Sequence, residues 1–218
     1  MEVRIQLRCL QFLVIGTLGD IMGFSTLIDI LGSTLVGGFL LLILFRLNDA
    51  TVENNYVYGG EAIAQSNLVE VVQLVEHDFR KIGFCKDWEK IPDPSKSILS
   101  AEQNSITFIT DENNDGNIDT LSYFLGTADE LPNTPNPNDK MLYRVRGNQT
   151  PQGANLVVTQ FDLLYFDALG NQLSFPITVP SAIYTLQINI KVEDVYGYDR
   201  QYDQEKYASA FWRQVRLA

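Results

Sequence analysis

The chain has 218 residues, 45% of them hydrophobic, with 16 Lys+Arg against 27 Asp+Glu and a formal net charge of −11. These proportions exclude wholesale disorder, and the acidic excess excludes nucleic acid as a partner, because phosphate neutralisation requires a basic surface. Two cysteines and one histidine exclude a disulfide-rich scaffold and a zinc cage.

Behind Arg4 and Arg8, Leu10 to Leu18 form an apolar stretch shorter than the roughly 20 residues that a membrane span needs. It reads either as the h-region of a secretory signal or as a segment upstream of a start at Met22 rather than Met1. Asp20-Ile21-Met22-Gly23-Phe24 follows it in place of a small-residue cleavage site, and Gln6-Leu7-Arg8 before Cys9 is not a lipoprotein box. From Ile21 to Phe45 the sole charge is Asp29. Leu35 to Phe45 has no polar face to turn outward, which favours a membrane-spanning helix over the buried core helix of a soluble protein. The span reaches full length with Asp29, Ser33 and Thr34 inside it.

Downstream, Leu68, Val72, Val75, Phe79 and Ile82 recur at helical spacing, while Glu61, Gln65, Glu70, Gln73, Glu76 and Arg80 fill the other faces. Gly59-Gly60 weakens the helix between its apolar and amphipathic parts, at roughly 1 kcal/mol per glycine relative to alanine. Gly83 is the expected stop, with Arg80 and Lys81 in the last turn favouring the negative dipole end.

The remainder reads as β. Alternation marks Ser105–Thr110, Leu121–Leu125, Met141–Val145 and, most strictly, Tyr184–Val192, with longer runs at Leu156–Phe166 and Leu173–Val179. Asp167–Asn171 is a hairpin connection, and Pro132, Pro135 and Pro137 mark an irregular loop. Strands following one another without helices imply a largely antiparallel sheet on which the helix from Glu61 to Ile82 packs. The expected fold is therefore α+β: a long N-terminal helix, one half in the membrane and one half amphipathic, packed on an antiparallel β-sheet domain. The expected divisions are a leader or upstream segment over 1–23, a transmembrane helix over 24–48, an amphipathic helix over 49–85 and a β-rich domain over 86–218.

Asp111, Asn113, Asp115, Asn117 and Asp119 place oxygens at positions 1, 3, 5, 7 and 9 of an EF-hand-type calcium loop, with Gly116 at position 6 and Ile118 at position 8. Position 12 is Ser122 rather than the bidentate Glu. Two readings stand side by side: a calcium hairpin between strands, and a solvated turn, since Asn-Asp-Gly-Asn is turn chemistry in its own right.

His77 and Cys85 do not form a catalytic pair, because no third group orients them; a partly buried structural His and a small apolar Cys are the expected roles. Asn148-Gln149-Thr150 fits a glycosylation sequon of a kind frequent by chance. No phosphate loop, Ser-His-Asp set or metal-hydrolase motif appears, so no enzymatic activity is expected.

Gly23-Phe24-Ser25-Thr26-Leu27-Ile28-Asp29 resembles the type IV prepilin signature. Glu76-His77-Asp78-Phe79-Arg80-Lys81-Ile82-Gly83-Phe84-Cys85 is similar to the helix end of W-type minor pilins and J-type pseudopilins. Leu142-Tyr143-Arg144 after the Asp-rich hairpin and the closing Ala210–Leu217 also resemble that subgroup. The resemblance implies cleavage after Gly23 by a prepilin peptidase, methylation at Phe24, and an assembly role for Asp29, which attracts the amino terminus of a neighbouring subunit. A carboxylate in the bilayer is costly unless paired, so Asp29 is a functional residue on physical grounds as well. The family places its acid, more often Glu, five residues after the cut; here Asp29 stands six after Gly23, and cutting after Phe24 restores that spacing.

The implied function is a minor pilin or pseudopilin that assembles into, or initiates, a type IV pilus or type II secretion pseudopilus. Its implied partners are other pilin subunits, the peptidase, the inner-membrane assembly platform and lipid. The implied location is the inner membrane, single-pass, with the C-terminal domain periplasmic, or extracellular in a filament. The alternative is a membrane-anchored, calcium-dependent binding module that does not polymerise. A third reading, an enzyme domain on an anchor, has no residue set behind it.

Overall fold

Helix α1 runs from Glu2 to Phe79 without a break in a computed structural model that describes residues 2–197 and 207–217. Side chains are described for these residues apart from 2–22, 154–155 and 217. Met1 lies outside the described residues, and Cys9 and Met22 fall among those without described side chains, so the leader and start-site readings rest on sequence alone. The chain divides into two compact units, Met1–Asn54 and Asn55–Ala218.

In the first unit every residue from Gly23 to Asn54 is exposed. The window around this apolar run has a mean hydropathy of 2.3 and none of it is buried, so the chain has one N-terminal helix long and apolar enough to cross a membrane. Apolar surface of this extent is not left bare in water.

In the second unit α1 packs on a seven-stranded antiparallel sheet whose spatial order is the chain order. The strands are β1 (Ile98–Ala101), β2 (Ser105–Thr110), β3 (Asp119–Leu125), β4 (Lys140–Arg146), β5 (Gln152–Phe166), β6 (Thr185–Glu193) and β7 (Ser209–Leu217). The architecture is the α+β, pilin-like one expected from the sequence. In β2, Ile106, Phe108 and Thr110 are fully buried while their neighbours are half-exposed, and Leu121 and Tyr123 of β3 follow the same alternation. That period of two turns one face of the sheet toward the helix.

The buried helical positions are Gly60, Ala64, Val71, Val75, Asp78 and Phe79, with Leu68, Val72 and Ile82 at the margin. All five residues of the expected stripe thus join the core or its margin, and Val71 adds to it. Phe79 closes the core at the helix end, its ring 5.5 Å from both Phe108 and Tyr123. Regular helix stops at Phe79 rather than near Gly83; a turn covers the interval, and the Gly83 amide donates to the Ile109 carbonyl.

Helix α1 continues through Gly59-Gly60, where Gly60 serves close packing: a Cβ there would lie 2.5 Å from Asp194 Oδ2 and 3.4 Å from Ala208 Cβ. One expectation about the strands is corrected. Leu173–Val179 is not a strand but irregular chain after a single bridge between Phe166 and Gln172. Pro176 has no amide to donate to a ladder, and Leu173 and Ile177 reach the core margin without strand geometry. The apolar run in β5 conceals a bulge: pairing with β6 slips between Val158 and Gln160, and Val157 (φ 56°) and Val158 are both buried.

Candidate functional site

The residues singled out by sequence fall in both units. Gly23, Phe24 and Asp29 lie on α1 within Met1–Asn54, and the acidic loop lies within Asn55–Ala218.

Asp29 follows Gly23 by six residues, about 9 Å along a helix axis at 1.5 Å per residue. It is exposed on a surface otherwise built of Phe24, Leu27, Ile28, Ile30 and Leu31, each at least half exposed. The nearby hydroxyls are turned inward: Thr26 donates to the Gly23 carbonyl at 2.9 Å, and Ser33 and Thr34 donate to the Ile30 carbonyl at 2.9 and 2.6 Å. Such back-bonding satisfies hydroxyls without water, as an apolar setting demands. Asp29 is the one charged group on this surface, and a carboxylate, having no proton to donate, cannot be satisfied by a backbone carbonyl in that way.

In the acidic loop the turn is left-handed at Asn114 (φ 59°) and Gly116 (φ 81°), a conformation that favours glycine at the second. Asp111, fully buried, accepts amides from Asp115 at 3.0 Å, Gly116 at 2.9 Å and Lys86 at 3.1 Å. Burial opposes its charge, but those amides outweigh burial and hold its carboxyl below the usual range. Asp115 accepts the Asn117 amide at 2.7 Å and the Asn113 carboxamide at 2.9 Å. Lys90 Nζ donates to the Gly116 carbonyl at 2.6 Å and to Asn117 Oδ1 at 2.9 Å, so a cation entering this loop has to displace it. Asp119 is engaged by Arg146 at 3.0 Å, and the Ser122 hydroxyl bonds Thr107 rather than joining the loop. Among the described residues, no three His, Cys, Asp or Glu side chains are grouped to hold a metal ion.

Helix and sheet are joined by charge as well as by packing. Asp78, 1% exposed, accepts Arg144 Nε at 2.6 Å and the Tyr123 hydroxyl at 2.5 Å, with His77 Nδ1 at 3.1 Å. Arg144 also bonds Glu112 at 2.8 Å, and Arg146 bridges Glu112 at 2.9 Å and Asp119 at 3.0 Å. Alternating charges therefore run from the helix end across β4 to the hairpin. Burial pushes Asp78 toward neutrality, but the bonds from Arg144, Tyr123 and His77 prevail and hold its carboxyl low. Asp78 and Arg144 meet in this one ion pair across 66 residues of chain, a separation that conceals the contact in the sequence. His77 is exposed rather than partly buried, and Cys85 is buried and unpaired.

A further polar cluster gives no sequence signal. Asn136 and Asp139, each 1% exposed, sit in the proline-marked loop beside Glu193 and Asp194 at the end of β6, each 7% exposed. No protein-family model matches the chain, and no curated protein matches it.

Proposed function

We propose that this chain is a minor-pilin-like or pseudopilin-like structural subunit. After leader cleavage it assembles into, or initiates, a type IV pilus or type II secretion pseudopilus. One observation carries this reading: a single carboxylate, Asp29, on an exposed apolar helix, six residues after Gly23 in a prepilin-like sequence. A carboxylate in hydrocarbon is stable only beside a cation, and the cation that cleavage after Gly23 creates is the new amino terminus at Phe24. Within one straight helix that terminus and Asp29 lie too far apart to touch, so the pairing is between subunits. Before assembly the apolar run sits in the inner membrane with the C-terminal domain on the periplasmic side; in a filament, neighbouring helices cover it. The partners are a prepilin peptidase, other pilin-like subunits and the membrane platform that extracts them.

Terminal sequencing and intact-mass measurement on protein extracted from native membranes test this directly. The expected mature chain begins at Phe24, or at Ser25 if the cut restores the family spacing, and carries one added methyl. A chain that retains the residues before Gly23 overturns the reading in favour of an anchored binding module.

A further inference from the structure

The loop that precedes β4 places a charge where a water-soluble fold should not leave one. Asp139 is 1% exposed, and both of its carboxylate oxygens are buried without a hydrogen-bond partner. Buried carboxylates are ordinarily paired with donors or coordinated, because an unpaired one costs several kcal/mol. A neighbouring acid deepens the problem: burial first, and the charge of Glu193 second, push the Asp139 carboxyl up to about 6.

The surroundings are rich in oxygen. Glu193 takes Lys191 Nζ at 2.6 Å on one oxygen, and on the other the carboxamides of Asn136 at 3.1 Å and Asn138 at 3.5 Å. The main-chain carbonyl of Asp194 accepts Asn136 at 3.1 Å. A half-turn of the Asn138 carboxamide exchanges its nitrogen for its oxygen, turning a weak donor to Glu193 into an acceptor. An open cavity of about 360 Å³, lined by Asn138, Lys140, Lys191 and Glu193 among others, opens on Glu193 and Asn138, while Asp139 lies behind its wall.

We infer that Asp139 and Glu193, with carboxamide and main-chain oxygens of the Asn136–Asn138 segment and β6, bind a hard divalent cation of the calcium type. Two carboxylates plus neutral oxygens in an irregular loop suit calcium, which takes 6–8 oxygens in flexible geometry, better than magnesium, which demands a near-octahedral shell. A cation here neutralises the repulsion between the two acids and occupies the oxygens that Asp139 leaves without a partner. The site is separate from the Asp111–Asp119 hairpin, whose carboxylates are engaged by backbone amides and arginine. It is independent of the assembly reading, since a processed or an unprocessed chain carries it equally.

The test compares melting of the full chain in detergent micelles with chelator and with millimolar calcium, for the native protein, Asp139→Asn and Asp115→Asn. Calcium should raise the native midpoint by about 5 °C, as expected for a ligand present well above its dissociation constant. Asp115→Asn should show the same rise. Asp139→Asn should show none, while melting in chelator no lower than the native chain, since it removes an unpaired buried charge and keeps the shape. Terbium luminescence provides a measurement that needs no variant of the site: the native chain and Asp115→Asn should both sensitise terbium, and calcium should quench the signal by displacement. The inference is overturned if calcium leaves the native midpoint unchanged, if Asp139→Asn retains the rise, if Asp115→Asn loses it, or if terbium is not bound.

Discussion

Asp78 shows how a single side chain sets the stability of the helix–sheet junction. It is 1% exposed and its partner Arg144 is 17% exposed, so neither charge relaxes into solvent when the other is removed. Breaking a buried pair by deleting one member costs about 3–5 kcal/mol, whereas replacing both members by apolar groups is often neutral. Asp78→Ala should therefore lower stability by about that amount, and Asp78→Leu combined with Arg144→Met should recover much of it, as read by chemical denaturation of the detergent-solubilised chain. The pH dependence has a definite sign. Because the folded-state carboxyl is held below its ordinary value, Asp78 contributes stability that is present above about pH 4 and is lost as acid protonates the folded carboxylate. Asp139, raised instead, works in the opposite sense when no cation is bound: its carboxylate is a cost above about pH 6 that acid relieves toward pH 4. Glu193 and Lys191 of β6 share that neighbourhood, so the second effect is read as the difference between the native chain and Asp139→Asn.

At the level of elements, α1 contains two adjacent glycines with opposite roles. A Cβ at Gly59 would meet nothing within 4 Å, whereas one at Gly60 would press on the buried carboxylate of Asp194. Gly59→Ala should stabilise the helix by roughly 0.5–1 kcal/mol through propensity alone. Gly60→Leu should cost about 1–3 kcal/mol by overpacking against β6 and β7. A pair of thermal melts decides it, and a loss at Gly59 equal to that at Gly60 would refute the close approach. The same contrast explains what the sequence reveals. Strands β2 and β3 are legible because buried and half-exposed positions alternate along them, and the first half of β6 shares that pattern. Leu173–Val179 misleads because apolar residues around Pro176 fill a core margin without pairing. The four-residue β1 is too short to display a period. The Asp139 cluster is hidden for a related reason: a lone acid among Asn and Pro looks like a solvated loop. Only the fold marks the place, in Val192-Glu193-Asp194, three consecutive buried residues at the end of β6. The hairpin, by contrast, was legible as a turn because Asp, Asn and Gly satisfy its backbone locally.

On the scale of the whole molecule, the two units differ in what they need from their surroundings. The second buries its own core; the first presents, from Gly23 to Phe45, apolar helix on every side with Asp29 as the one acid in that run. On the proposed reading, Asp29→Ala removes a cost to membrane insertion and with it the attraction for a neighbouring subunit. The variant should fractionate with membranes as the native chain does and should be absent from sheared filaments, as followed by immunoblot; normal incorporation would refute the pairing role of Asp29. Inside the second unit, a sheet whose spatial order repeats its chain order assembles from neighbours, each strand pairing with the next one in the chain. One tie breaks that pattern. Arg216 on β7 reaches Glu76 on α1 at 2.6 Å, across 140 residues, and Gln214 leans on the same carboxylate. The last strand of the sheet is thus a clasp on the helix that precedes the sheet, and a nascent chain arrested before β7 would hold a nearly complete meander while its helix stayed unlatched along that edge.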